Sequence, residues 1–161
     1  MELEASLHTA APRSAVIAYV AELDKYPQWM ALVHSASLVH GTHQPTWEVE
    51  LRAKVGPFAR SKRLRMARTQ FVEGEETRIV FERRETDGRQ HAAWRLSITV
   101  RDNTSTSDAR AVTQQAGTHL AGTHLAMHLH YDGRFFVSVV EAILQQNIDA
   151  GRKRLSELLG D

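Results

Sequence analysis

Four closely spaced histidines, His119, His124, His128 and His130, are the first residues of this chain whose types and spacing suggest chemistry. On a strand, His128 and His130 share one face, and two imidazoles at that spacing can take a metal ion. Two imidazoles alone make a weak site, however, and Asp132 is the only acid nearby in the segment. Alternation along a one-sided sheet therefore favours a solvent-facing polar stripe, and no metal site is assigned. A second cluster is the basic run from Arg60 to Arg68. In a strand its charges divide: Arg63 and Arg65 face outward, within cross-strand reach of Glu48, Glu50 or Glu82, while Lys62 and Arg68 share the side of Leu64 and Met66. Arg68, with Arg83 beside Phe81, is then placed to hold a carboxylate or phenolate at the rim of an interior cavity. Pairing with the protein's own carboxylates is the competing use. The chain has no Ser-His-Asp order, no glycine-rich phosphate loop and no carboxylate pair flanked by apolar strand residues. Any proton transfer would fall to Tyr26, Tyr131, Asn147, Arg68 or Arg83.

Composition narrows the setting. The chain has 161 residues, 42% of them hydrophobic, which suits one domain with a single core. Its 20 basic and 19 acidic residues leave a net charge of +1, too little to draw in nucleic acid. No apolar run is long enough for a membrane span, the N-terminus lacks the features of a secretory signal, and the protein reads as cytoplasmic. The absence of cysteine removes disulfides, thiolate metal sites and a thiol nucleophile.

The elements that would position these residues are mostly strands. Glu2 to His8 alternates, with Leu3, Ala5 and Leu7 on one face. Pro12 fits the first turn of a short helix carrying Val16, Ile17, Val20 and Leu23, and Asp24 fits the cap of a second one holding Tyr26, Pro27, Trp29 and Met30. Six further strands are predicted over Ser35 to Gly41, Thr46 to Val55, Arg60 to Val72, Thr77 to Arg84, Gln90 to Arg101 and Gly122 to Tyr131. Turns at Glu73-Gly74-Glu75 and Asp87-Gly88-Arg89 make neighbours antiparallel. Asp102 to Ala116 reads as a long polar loop. A five-residue repeat comes next, Ala116 to Leu120 and then Ala121 to Leu125; strand period two puts equivalent residues on opposite faces, so only the second copy is placed in the strand. There Leu125, Met127, Leu129 and Tyr131 point inward.

The chain ends on Arg134 to Leu159, one long amphipathic helix with Val137, Val140, Leu144, Ile148, Leu155 and Leu158 on its stripe, widened by Phe136, Val139 and Ile143. At about 1.5 Å per residue it is long enough to cross a sheet. Gly151 costs about 1 kcal/mol against alanine inside a helix. With Asn147 it lies close to the buried stripe, which leaves room there for a ligand or for a close backbone approach.

This order of strand, two short helices, strand meander and long helix, together with Asp24-Lys-Tyr-Pro-Gln-Trp29 and Tyr131-Asp-Gly133, resembles the START-like (SRPBCC) superfamily, and within it the polyketide cyclase/dehydrase and lipid-transport branch. The resemblance covers nearly the whole chain. It implies an α+β, helix-grip (Bet v 1-like) fold: a seven-stranded curved antiparallel sheet wrapped around the C-terminal helix, in a single domain. It also implies a cavity for a lipid, a polyketide-like compound or another hydrophobic small molecule. Trp29, Trp47, Met66, Arg68, Phe81, Arg83, Trp94, Met127, Tyr131, Phe136, Val140 and Asn147 are the expected ligand contacts, with Phe58 also in the apolar interior. Arg68, Tyr131 and Asn147 are the catalytic candidates if the protein is instead a polyketide cyclase/dehydratase. An interaction module, such as a toxin-like or dimeric partner protein, using the face around Arg63 and Arg65 or the long loop, is the third alternative. No cofactor and no nucleic-acid partner is implied, and a monomer or homodimer is expected.

Overall fold

The computed structural model describes residues 1–55, 57–103, 122–133 and 137–160, with side chains for all of these but 55, 58 and 137–144. The chain runs β1 (Glu2–Thr9), α1 (Arg13–Val20), a 3-10 helix (Leu23–Gln28), β2 (Val33–Val39), β3 (Thr46–Val55), β4 (Phe58–Val72), β5 (Glu76–Arg83), β6 (Trp94–Asp102), β7 (Thr123–Tyr131) and α2 (Val137–Leu159). The seven strands form one sheet in the order β1-β7-β6-β5-β4-β3-β2, every pair antiparallel. From β2 to β7 this is a meander, of which the turns at Gly74 and Gly88 prescribe the β4–β5 and β5–β6 pairings. The pairing of β1 with β7, which brings Glu2 opposite His130 and His8 opposite His124, has no local signal in the sequence.

One sheet face is apolar because the strands alternate. Trp47, Val49, Leu64, Met66, Ile79, Phe81, Ile98, Val100 and Leu125 are buried together with α1 residues Val16 and Val20. On the other face Glu48 lies opposite Arg65 and Glu50 opposite Arg63, with ion pairs of 3.6 and 3.8 Å. The outward arginines are thus occupied across the strand. Register shifts between Val33 and Ser35 and between Arg68 and Gln70 interrupt β2 and β4. Such bulges bend a strand and re-aim the side chains beyond them.

Several boundaries differ from the expectation. Pro12 stands just ahead of α1 as its N-cap, and α1 stops at Val20. Asp24 does not cap the next helix; it lies inside the 3-10 turn, and its carboxylate accepts the Trp47 indole N–H at 2.9 Å. Trp47 is buried, so its N–H needs that acceptor. Asp24→Ala is expected to cost about 1–3 kcal/mol, and Asp24→Asn, which keeps an acceptor, much less; urea denaturation of the two variants checks this. Strand β6 begins at Trp94 rather than Gln90 because the preceding residues bond elsewhere. The Ala93 N–H donates to the Asp132 carboxylate, and His91 pairs with Asp87.

In α2 the apolar line runs through Ile148, Gly151, Leu155 and Leu159, while Leu158 is exposed. Steps of three and four along this line keep Leu159, not Leu158, on the packed side. The contacts of α2 among the described residues are with β1 and with the segment after the 3-10 helix: Arg152 donates to the Ser6 carbonyl, and Gly151 lies against Met30. No helix among the described residues is long and apolar enough to cross a membrane. The first copy of the five-residue repeat, His119, Arg134, Phe136 and most of the expected loop after Asp102 lie outside the described residues; the second copy enters β7 as expected.

Candidate functional site

The inward rows of the sheet, the 3-10 segment and α2 enclose a cavity of about 130 Å³. Its walls are Leu3, Ala5 and Leu7 from β1; Leu23, Tyr26, Trp29, Met30 and Leu32 from the 3-10 helix and the residues after it; Val33, Val49, Leu51, Leu64 and Met66 from β2, β3 and β4; Trp94 and Leu96 from β6; Leu125, Met127 and Leu129 from β7; and Ile148 and Leu155 from α2. Ser6 and Arg152 supply the polar edge. Period-two alternation explains the rows: Leu125, Met127 and Leu129 are successive inward positions, as are Leu64 and Met66.

Of the expected ligand contacts, Trp29, Met66, Trp94 and Met127 line this space. Trp47 and Phe81 do not: both are fully buried and meet edge to face at 5.7 Å, as solid core. Arg68 does not reach the cavity either. Arg68 keeps the inward face, opposite Phe81, but its guanidinium donates to the Ala21 carbonyl at 2.7 Å and lies over the Trp47 and Phe71 rings. Arg83 is held by Glu85 at 2.6 Å and donates to the Ala92 carbonyl. Tyr131 packs on Trp94 just beyond the cavity, and Asn147 is half-buried on α2 away from the lining. Phe136, and the side chains of Val140 and Phe58, are outside the described residues.

Gly151 is explained by packing. A Cβ there would stand 3.1 Å from Met30 Cε and 3.2 Å from the Trp29 carbonyl oxygen, so the glycine lets α2 approach the cavity wall. Tyr26, whose ring tilts against Trp29 at 4.6 Å, closes one side, and its hydroxyl donates to the Val20 carbonyl at 3.0 Å. Burial pushes its phenol far above the ordinary range. An unfolded tyrosine ionises near pH 10 whereas this one keeps its proton, so the unfolded state gives up the proton first and stability falls as pH rises above about 10. Tyr26→Phe is expected to remove that part of the slope while costing ~1 kcal/mol at neutral pH. Denaturation midpoints at about pH 8 and about pH 11 check it.

Two indole donors in the cavity wall, Trp29 Nε1 and Trp94 Nε1, are buried with no acceptor among the described residues. One residue of the inward rows carries a charge to which the sequence alone assigns no role. Lys62, next in the row after Met66 and Leu64 and opposite Leu51, sets its ammonium 5.5 Å from the Trp94 ring centre and 5.3 Å from that of Tyr131. Its place in that row is the signal that points to it.

The histidine stripe lies on the opposite face. The acid missing from its own segment comes from β1: Glu2 bonds both His128, at 2.8 Å, and His130. The His130 hydrogen bond holds the Glu2 carboxyl below its ordinary range. Further along, His8 and His124 stack at 4.4 Å, and partial burial, then His8 and Arg101, push the His124 imidazole down. Glu2 sits between the two imidazoles it bonds, and no metal-binding group of three side chains forms among the described residues.

No family model matches the chain, and no curated protein matches it. Solved structures do. TTHA0849 from Thermus thermophilus superposes with a TM-score of 0.60 at 16% identity, over 99% of this chain and 97% of that one. The protein XoxI from Bacillus cereus gives 0.59 at 13% identity, over 99% and 96%. A Thermobifida fusca protein solved by NMR gives 0.59 at 16% identity, over 99% and 93%. The likeness is one of fold. It extends over the full sheet and the C-terminal helix, so the chain has the α+β architecture of these proteins.

Proposed function

We propose that this protein binds a hydrophobic small molecule between its sheet and its C-terminal helix, in a helix-grip architecture of the START-like kind. The observation that carries the reading is the cavity itself. It is walled by apolar side chains from β1, β2, β3, β4, β6, β7 and α2, with only Ser6 and Arg152 at its polar edge. Ligand sites are characteristically concave and apolar, with a few placed polar groups. At about 130 Å³ the space suits one aromatic ring or a short branched chain, since a comparable engineered cavity takes benzene. A larger lipid or polyketide-like ligand, the class the START-like resemblance implies, needs α2 to shift away from β1. The strand order, the two short helices after β1 and the full-length fold likeness support the same architecture.

No observation favours the cyclase/dehydratase reading: Arg68, Tyr131 and Asn147 stand outside the lining, and the Tyr26 hydroxyl is engaged with the backbone. Nor does any favour an interaction module at Arg63 and Arg65, which pair with Glu50 and Glu48. A cytoplasmic location and a monomeric or homodimeric state belong to the same proposal. Native mass spectrometry of protein purified from its own host, with organic extraction, tests it. A retained apolar molecule is the expected result. An empty protein that also fails to take up toluene, a single-ring probe matched to the cavity, up to its solubility limit overturns the reading.

A further inference from the structure

We infer that the ligand carries an anionic head group, a carboxylate or its like, and that Lys62 at the Trp94–Tyr131 corner receives it. This rests on the cavity reading and names the chemistry of its polar end. The inward row of β4 runs Met66, Leu64, Lys62, and that of β7 runs Leu125, Met127, Leu129, Tyr131, so both rows leave the apolar space at the same corner, where Trp94 forms the wall. Lys62 is exposed at the mouth of this corner, and its ammonium lies over two ring faces. No carboxylate among the described residues forms an ion pair with it. The nearby Glu85 is committed to Arg83 at 2.6 Å and also accepts the Arg65 backbone N–H. Desolvation, then the Arg83 charge, push the Lys62 ammonium down, with Glu85 opposing. The corner therefore presents a cation beside aromatic faces with no ion-pair partner among the described residues. A carboxylate whose apolar body lies in the cavity places its charge at this corner, beside the ammonium.

The experiment compares trans-cinnamate with its uncharged methyl ester by isothermal titration, on the native protein and on Lys62→Met, which keeps a stem against the rings. The native protein is expected to bind the acid about tenfold more tightly than the ester, as a charge-assisted hydrogen bond allows. Lys62→Met is expected to lose that preference while its ester affinity stays within about twofold and its melting temperature is unchanged. Equal binding of acid and ester by the native protein, or an acid preference that survives in Lys62→Met, overturns the assignment of Lys62 and leaves the cavity reading standing. Failure of both probes to bind the native protein overturns the two together.

Discussion

Phe81→Ala is expected to lower the free energy of unfolding by about 3–5 kcal/mol. The ring has no exposed surface and stands edge-on to Trp47, at 5.7 Å and 73°, and to Tyr26, at 6.5 Å and 79°. Truncation loses the transfer energy of the ring, leaves a void under two aromatics, and removes edge-to-face pairs worth about 0.5–1.5 kcal/mol each. Against a typical total of about 5–15 kcal/mol, that is enough to bring the protein close to unfolding. Phe81→Leu keeps most of the volume and should cost roughly half as much. Because Phe81 lies outside the cavity, Phe81→Leu should leave affinity for an apolar probe within about twofold. Urea denaturation and probe titration on the same sample separate the two effects. A large loss of affinity at intact fold would restore Phe81 to the ligand site.

The smallest substitution with a large effect is Gly122→Ala. Here the added Cβ would stand 2.5 Å from the Thr9 carbonyl oxygen and 3.5 Å from the Ala10 Cα, both backbone atoms that cannot rotate aside. Gly122 is not among the glycines with positive φ, so the constraint is steric crowding. The crowding falls at the corner where β1 leaves the sheet: Thr123 Oγ1 donates to the Ala11 carbonyl at 2.7 Å, and the Ala11 N–H donates to Thr9 Oγ1 at 3.0 Å. Relieving the clash means moving β1 off β7 and losing this pair of buried bonds. The expected cost is about 3 kcal/mol. Gly74→Ala is the control, since its nearest neighbour would be at 3.8 Å, and it should change stability by less than about 0.5 kcal/mol. Thermal denaturation of both variants decides it: a Gly122→Ala protein as stable as the control would mean that β1 is not pinned at this corner.

Gly122, Lys62 and Arg68 also show where the sequence is legible and where it is not. Alternation in Thr46–Val55 and Thr123–Tyr131 predicts which residues face inward, and Leu125, Met127 and Leu129 are found on the cavity wall. The turns at Gly74 and Gly88 predict the β4–β5 and β5–β6 pairings, because hairpin pairing is decided within a few residues. The β1–β7 pairing is decided by contacts more than a hundred residues apart, so neither the crowding at Gly122 nor the Glu2 contact to His128 and His130 has a local signature. Counting in twos assigns Arg68 and Lys62 to one face. Both are found there, but at opposite ends of the row: Arg68, opposite Phe81 and over Trp47, is taken by the Ala21 carbonyl, whereas Lys62 stands at the Trp94–Tyr131 corner. Which end of a row meets the cavity and which meets a backbone carbonyl depends on the elements packed over the sheet, not on alternation. Asp24 illustrates the same limit: its spacing suits a helix cap, but the buried Trp47 indole is the stronger claimant on its oxygen.

The most direct test of the cavity uses the chain's own methionines. Of the 4 in the sequence, Met30, Met66 and Met127 line the cavity and Met1 does not. With the methyl groups labelled with carbon-13, titration with p-xylene, a single-ring ligand of suitable size, should shift the Met30, Met66 and Met127 signals together along one saturable curve and leave Met1 in place. If all four signals stay fixed to the solubility limit of p-xylene, or if only Met1 moves, no ligand enters between sheet and helix, and the apolar walls are simply the core of the fold.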